Sequence, residues 1–241
     1  MQPQRSAILL TCEHAGNQVP QQYATLFAGH EALLDSHRGW DPGTLRMGNH
    51  FASKLHATLV FREVTRLLVD LNRSESNRVI FSSIVRELPL EQREEILQLH
   101  YRPFRREVLQ WINDKVAKGT FVRHLSLHSF TPQLGNQVRQ AEIGLLYDPA
   151  RKHEQEICQR WGSELRKEFP GFRVRMNYPY RGISDGHTSA MRKVFSAEQY
   201  AGIELEVNQQ LFAKPSEEVG QMIAGLCRSY QKTLENDHAG N

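Results

Sequence analysis

Short apolar runs alternate with longer amphipathic segments along almost the whole chain, and this alternation limits the fold more than any other feature. Apolar runs of about four to eight residues are typical of buried strands, whereas longer periodic segments are typical of helices. The pattern predicts strands at 7–12, 58–61, 66–71, 122–127, 143–147, 172–176 and 202–207. It predicts helices at 41–56, at 90–118 with a break near Pro103, at 154–169 and at 215–234. Such alternation favours an α/β fold with a central, mostly parallel sheet covered by helices on both faces.

No repeat, low-complexity tract or linker divides the sequence, so we expect a single domain over residues 1–241. The hydrophobic fraction of 39% and the charged fraction of 24% are those of a globular protein. A formal net charge of +3 argues against binding to nucleic acid. No apolar run approaches the ~18 residues of a membrane span, and the amino terminus lacks the features of a signal peptide. We therefore expect a cytoplasmic protein that binds neither nucleic acid nor membrane.

Histidines stand at the carboxyl ends of two predicted strands. His14 follows the strand at 7–12, and His128 follows the strand at 122–127. Ligands of open α/β sheets lie beyond the carboxyl ends of the strands, so both imidazoles are expected at one edge of the sheet. Two imidazoles and a carboxylate are suitable ligands for a catalytic zinc ion, with water in the fourth position. The competing interpretation is two unrelated structural histidines among the eleven in the chain.

The sequence leaves the third ligand of such a site open. Asp41 is the preferred candidate, although it is explained equally well as the amino-terminal cap of the helix predicted at 41–56. His37 lies four residues before Asp41 and is a second candidate. Glu13, at the end of the first strand, is a third.

Two carboxylates alternate with apolar residues in the strand predicted at 202–207. Glu204 and Glu206 therefore point to the same face of that strand. Two carboxylates in a central strand are costly unless they are paired or functional. One of them beside a metal ion would serve as a general base that takes a proton from water. The competing interpretation is an edge strand with one solvated face.

Other polar residues are candidates for binding substrate or for a different chemistry. Asn72 and Arg73 follow a predicted strand and could hold a carboxylate, although Asn is also common in turns. The segments 129–140 and 177–188 are long and irregular, which is typical of functional loops. Cys12 ends the first strand, where a thiolate could act as a nucleophile with a histidine as base. The chain has three cysteines and no Cys-x-x-Cys pair, which fits a reducing compartment.

Several motifs occur in a fixed order and cover most of the chain. They are CEHAGNQVP (12–20), HRGWDPG (37–43), VDLNRS (69–74), LHSFTP (127–132), IGLLYD (143–148), NYPYRG (177–182), DGHT (185–188) and IELEVNQ (203–209). Together they resemble the N-formylglutamate amidohydrolase family, which is related to zinc carboxypeptidases and aspartoacylase-type deacylases. The resemblance implies a three-layer α/β/α fold with a mixed, mostly parallel sheet and one catalytic zinc ion.

The resemblance also assigns roles to single residues. His14 and His128 match the two zinc-ligand histidines, and Glu206 matches the carboxylate that activates water. Asn72 and Arg73 match the pair that holds the substrate carboxylate in aspartoacylase-type enzymes.

The sequence departs from the pattern of its relatives at two positions. Asn17 stands where the related peptidases have a ligand glutamate, so Asp41 or His37 must supply the third ligand or the metal site is weakened. Asn208 stands where many members of the family have arginine, which bears on the choice of substrate.

The residues and the resemblance together predict a metal-dependent amidohydrolase with Zn²⁺ as its cofactor. We expect a small-molecule substrate, the N-formyl or N-acyl amide of an acidic amino acid, with N-formylglutamate first among the candidates and a role in histidine degradation. In this hypothesis His14, Asp41 and His128 hold the metal, while Arg181 binds a second substrate carboxylate. A non-catalytic member of the family and a hydrolase that uses Cys12 remain the alternatives, and the sequence leaves the oligomeric state open.

Overall fold

The computed structural model describes residues 5–239, with the backbone alone for residues 236–239. The strands in this part of the chain are β1 (Ser6–Cys12), β2 (Thr58–Phe61), β3 (Phe121–Phe130), β4 (Gln133–Leu134), β5 (Gln137–Val138), β6 (Ile143–Leu146), β7 (Val174–Met176) and β8 (Tyr200–Asn208). The helices are α1 (Glu31–Leu34), α2 (Thr44–Leu55), α3 (Ser83–Arg86), α4 (Leu90–Ile96), α5 (Arg102–Val116), α6 (Lys152–Glu168), α7 (His187–Arg192) and α8 (Ser216–Ala239). Short 3-10 turns lie at Gln21–Phe27 and Gln209–Leu211.

Six of these strands form one sheet in the order β2-β1-β3-β8-β6-β7. Neighbouring strands are parallel except for β6, which runs antiparallel to β8. β3 and β8 lie at the centre and are buried along almost their whole length. The mixed, mostly parallel sheet that the sequence predicts is therefore confirmed.

Helices cover both faces of the sheet and complete the predicted three layers. On one face α2, α6 and α8 pack against a core that includes Leu125, Trp161 and Leu205. On the other face α5 packs against β2 and β3, in a core that includes Val122 and Phe104. None of the helices within residues 5–239 is both long enough and apolar enough to cross a membrane.

The strand predicted at 66–71 is wrong. These residues form turns that follow an isolated bridge at Val64. Leu68, Val69 and Leu71 are each 0% exposed, so the apolar run reflects burial and not strand pairing. Periodicity does not distinguish these possibilities, because an uninterrupted apolar run records burial without recording hydrogen bonds.

The helix predicted from residue 41 begins later, at Thr44, and its cap is Gly43. Gly43 has a φ of +87°, and a Cβ there would lie 2.1 Å from the Cδ1 atom of Phe212, so glycine is required. The interpretation of Asp41 as the helix cap is therefore wrong, and its carboxylate is available for other contacts.

Two further segments refine the predicted elements. The irregularity expected near Pro103 is a π-helical turn at Leu97–Tyr101, which joins α4 to α5. The segment 129–140 is only partly irregular, because β3 continues to Phe130 and β4 pairs with β5 as a hairpin.

Candidate active site

Polar side chains from three neighbouring strands lie together on one face of the sheet, near the carboxyl ends of the strands. They come from β1 and the residue directly after it, from β3 and from β8, and all are buried: Thr11, Glu13, His124, Ser126, His128, Glu204 and Glu206. The strand register places His128 beside Glu206 and Ser126 beside Glu204. Because parallel strands end at the same edge, the alternation on each strand brings these groups into one buried cluster.

His14, Asp41 and His128 form the part of this cluster that could hold a metal ion. The Nδ1 atom of His128 lies 2.9 Å from Asp41 Oδ2, and the Nδ1 atom of His14 lies 3.3 Å from the same oxygen. One ligand atom from each of the three residues lies within 4.8 Å of the others. Tetrahedral zinc with bonds of about 2.0–2.2 Å separates neighbouring ligand atoms by roughly 3.3 Å, so this spacing suits such an ion.

A second carboxylate and an arginine hold these side chains in place. The Nε2 atom of His14 lies 2.7 Å from Asp70 Oδ1. Arg66 donates to Asp70 Oδ2 at 2.7 Å and to Asp41 Oδ1 at 3.2 Å. With Nε2 bound to Asp70, the Nδ1 atom of His14 is directed toward Asp41, as the outer partners of metal-ligand histidines commonly arrange.

The charges of this group also suit a cation. Burial opposes protonation of His128, but its hydrogen bond to Asp41 and the charges of Glu13 and Glu206 raise the pKa of His128 to about 10. Burial likewise opposes ionisation of Asp41, yet His14, His128 and Arg66 hold the pKa of Asp41 below its usual range. A site that keeps a carboxylate charged and an imidazole protonated has a strong preference for positive charge. The donor set therefore fits a divalent metal.

Glu206 stands beside this group with one oxygen unpaired. Its side chain is buried, and within the described part of the chain Glu206 Oε2 has no hydrogen-bond partner. Burial, together with the charges of Asp41 and Glu204, raises the pKa of Glu206 to about 8. A buried, unpaired carboxylate is costly for folding alone, which indicates a functional role.

The polar cluster opens into a cleft with a volume of about 230 Å³. Among the residues that line it are His14, Asp41, His128, Glu206, Asn72, Arg73, Arg181, Leu134 and Tyr180. Arg73 donates through Nη1 to the carbonyl oxygen of Asp185 at 2.8 Å, and Asn72 accepts from the backbone N–H of His187 at 2.7 Å. Arg181 lies in an exposed position. The three predicted substrate-binding residues thus share one cleft with the predicted ligands and base.

The other candidates for a third ligand lie outside the group that could hold a metal. His37 lines the cleft but is exposed. Glu13 lies on the far side of His128, with its Oε2 atom 3.6 Å from His128 Nε2. Asn17 donates its amide to Leu34 and Asp35, so the position that carries a ligand glutamate in the related peptidases serves here to hold a loop.

Cys12 does not have the surroundings of a nucleophile. Its side chain is 0% exposed, packs in the core on the α2 side of the sheet and donates to the Thr44 carbonyl oxygen at 3.5 Å. Burial, helped by the charges of Glu13 and Asp41, raises the pKa of the Cys12 thiol well above its usual value. A reactive thiolate needs a lowered pKa and access to solvent, and Cys12 has neither.

Sequence reasoning gave no role to three residues that contact the site. Asp70 stands inside the VDLNRS motif, and Arg66 precedes it by four residues, but both fell within the wrongly predicted strand at 66–71. Ser126 alternates with His124 and His128 on β3, and this spacing was the one available signal for it.

Comparisons with known proteins agree with this fold. The profile of the N-formylglutamate amidohydrolase family matches residues 6–213. A gene product of Agrobacterium tumefaciens has a similar crystal structure, with a TM-score of 0.80 and 27% identity over 97% of this chain and 92% of that one. The N-formylglutamate amidohydrolase of Ralstonia eutropha has a TM-score of 0.74 and 16% identity over 100% of this chain and 97% of that one, a likeness of fold. A search of curated proteins finds no match.

The class of protein follows from the family profile: this chain is a hydrolase that acts on amide bonds. The chain belongs to the N-formylglutamate amidohydrolase family.

Proposed function

We propose that this enzyme is a metal-dependent amidohydrolase that removes the formyl or acyl group from an N-acylated acidic amino acid, with N-formylglutamate as the first substrate to test. One observation carries the proposal. The Nδ1 atoms of two buried histidines meet at one oxygen of Asp41, beside a carboxylate, Glu206, that has an unpaired oxygen in the described structure.

His14, Asp41 and His128 are the proposed metal ligands, and zinc is the ion that best suits two imidazoles and a carboxylate. When bound, such an ion lowers the pKa of water and polarises a carbonyl group. The contact from Asp70 keeps Nδ1 of His14 directed toward Asp41, and that from Ser126 does the same for His128. Both imidazoles thus present the same nitrogen to the site.

Glu206 is the proposed general base. Its burial and raised pKa favour uptake of a proton from the attacking water, which is the property a base needs near neutral pH. Glu206 then returns this proton to the nitrogen of the leaving amine as the amide bond breaks. No other residue has to move a proton in this scheme.

Arg73, Asn72 and Arg181 are proposed to bind the amino-acid part of the substrate. Arg73 keeps part of its guanidinium group free of the contact with Asp185 and lines the cleft, so it can hold a carboxylate. Asn72 accepts from the backbone N–H of His187, and its amide nitrogen, which lies 3.4 Å from His128 Nε2, is proposed to donate its other N–H to the same carboxylate. Arg181 also lines the cleft and is the proposed partner of a second substrate carboxylate.

The test is hydrolysis of N-formylglutamate by protein prepared with and without zinc. We expect turnover only in the zinc-loaded protein, and restoration when zinc is added back to chelated protein. Arg73→Ala should raise KM with a smaller effect on kcat, because it removes substrate binding and leaves the ligands and base in place. Undiminished turnover in fully demetallated protein would contradict the metal mechanism, and an unchanged KM would contradict the role of Arg73.

A comparison of three substrates separates cleavage of the amide bond from recognition of the second carboxylate. N-formylglutamate, N-formylaspartate and N-formylleucine share the scissile amide but differ in the second carboxylate, so Arg181→Ala should reduce the preference for the acidic pair. An equal preference before and after the substitution would show that Arg181 does not read that carboxylate. A single domain over residues 1–241, cytoplasmic location and a role in histidine degradation stay predictions.

A further inference from the structure

A buried carboxylate on the far side of His128 has no part in the proposed chemistry. Glu13 is 0% exposed and accepts hydrogen bonds from Thr11 Oγ1 at 2.7 Å, Ser126 Oγ at 2.9 Å and His187 Nδ1 at 2.9 Å. No lysine or arginine within residues 5–239 forms an ion pair with it. Its ion-pair partners are instead the imidazoles of His187, at 2.9 Å, and His128, at 3.6 Å, and a buried carboxylate requires such partners.

Ser126 connects this carboxylate to the proposed metal ligand. Its Oγ atom lies 2.8 Å from His128 Nε2 and 2.9 Å from Glu13 Oε2. When Nδ1 of His128 binds a metal, its one proton is on Nε2, which then donates to Ser126. The Ser126 hydroxyl in turn donates to Glu13, because a carboxylate only accepts. Both hydrogen bonds, from His128 to Ser126 and from Ser126 to Glu13, therefore have a defined direction.

The hydrogen-bond network continues beyond Glu13 to two further histidines. Tyr200 Oη lies 2.7 Å from His124 Nδ1, and His124 Nε2 lies 2.8 Å from Thr11 Oγ1. Burial lowers the pKa of His124 to about 3 and, with the charge of Arg105, lowers the pKa of His187 to about 4. Both imidazoles are neutral at physiological pH, and each donates one hydrogen bond toward Glu13 or its neighbour Thr11, so they help to orient the carboxylate.

The two ligand histidines have outer carboxylates of different kinds. His14 contacts Asp70 directly at 2.7 Å, and Arg66 already pairs with Asp70. His128 is hydrogen-bonded to Ser126, which is hydrogen-bonded to Glu13, and the direct separation between His128 Nε2 and Glu13 Oε2 is 3.6 Å. The orientation of His128 therefore depends on the bridge through Ser126, whereas that of His14 depends on a direct contact with Asp70.

We propose that Glu13 is a positioning residue of the metal centre, which fixes the orientation of His128 through Ser126 and so strengthens metal binding. The inference rests on the proposed metal site and adds to it a residue that touches neither metal nor substrate. It predicts that Glu13 sets metal affinity while the fold is maintained by other contacts. Outer partners of metal ligands typically change affinity by about 10–100-fold when they are removed.

The experiment compares zinc affinity in three forms of the full chain, measured by competition with a chromophoric chelator. Glu13→Gln keeps the size of the side chain but removes its charge, and we expect zinc binding weaker by about 10–100-fold. Tyr200→Phe is the matched control, because it removes a hydrogen bond at the far end of the same buried network without altering any contact of Glu13. We expect its zinc affinity to equal that of the unsubstituted protein.

Two further measurements separate positioning from a structural role. The free energy of unfolding of the metal-free proteins should be similar for Glu13→Gln and Tyr200→Phe, and the visible spectrum of the cobalt-substituted protein should change only for Glu13→Gln. If Glu13→Gln does not fold, Ser126→Ala breaks the same connection and should also weaken zinc binding. If a folded Glu13→Gln or Ser126→Ala variant binds zinc as tightly as the unsubstituted protein, the inferred role of Glu13 is wrong and the proposed metal site still stands. Failure of the unsubstituted protein to bind zinc overturns the inference together with the metal site on which it rests.

Discussion

The two faces of the central sheet differ in chemistry at the carboxyl ends of β1, β3 and β8, although these three strands contribute to both faces. On the face toward α2, α6 and α8, the strand ends carry fully buried apolar side chains such as Leu127 and Leu205. On the opposite face the same strands carry His128 and Glu206, one residue further along. Because successive side chains of a strand point to opposite faces, one register sets both. The same strands thus carry the apolar core on one face and the reactive groups on the other.

The polar face is not uniform along its length. Near the amino ends of β1 and β3 it carries Leu9 and Val122, which belong to an apolar core with α5. Toward the carboxyl ends the side chains become polar and bond to one another. Apolar packing thus anchors the strands on both faces, and most of the polar groups lie toward the end where the cleft opens.

Removing the base on the polar face should have the largest effect on catalysis. Glu206→Gln keeps the shape of the side chain but cannot take a proton, so kcat should fall by about 10²–10⁴-fold. The free energy of unfolding should stay the same or rise, because a buried carboxylate is replaced by a neutral amide. Steady-state kinetics and urea unfolding measure the two quantities on one preparation. A variant with normal kcat would remove Glu206 from the mechanism.

Leu205, which precedes Glu206 and lies on the apolar face, should affect stability much more than catalysis when it is replaced. Leu205 is 0% exposed and packs in the core, so Leu205→Ala should lower the free energy of unfolding by about 2–5 kcal/mol. The kcat of the folded fraction, measured well below the melting temperature, should be close to normal. A loss of kcat as large as that of Glu206→Gln would show that the two faces are not separable.

The smallest effect is expected at Cys12, which adjoins Glu13 in sequence but packs on the apolar face. Cys12→Ser retains a donor for the Thr44 carbonyl oxygen, so stability should change by about 1 kcal/mol and turnover should be unchanged. Loss of turnover in this variant, with zinc affinity intact, would revive a thiolate mechanism. Kinetics with N-formylglutamate and a chelator competition assay on the same sample distinguish these outcomes.

The sequence predicts most of the sheet because its signals there are local. β1, β3 and β8 are apolar or alternating runs, and the histidines and glutamates stand out on them as polar interruptions. Their position at strand ends was sufficient to place His14, His128 and Glu206 near one edge. The family resemblance then predicted which of these residues bind the metal and which one activates water.

The contacts between distant segments could not be read in the same way. Arg66 bridges Asp41 and Asp70 from a segment of turns, and no periodicity marks such a contact. The choice between Asp41 as cap and Asp41 as ligand depended on Gly43, which caps the helix with a positive φ and lies so close to Phe212 that a side chain there would not fit. That approach joins two segments far apart in the sequence, so it becomes visible only in the folded chain.

The order of strands in the sheet separates two events in a chain that is still being synthesised. All three proposed ligands are present once β3 has emerged, and β3 pairs directly with β1. Glu206 arrives only with β8, which inserts between β3 and the earlier-made β6. A chain interrupted between these strands would have the side chains that gather a metal but no base. Hydrolysis would therefore begin only when the last strand of the sheet is in place.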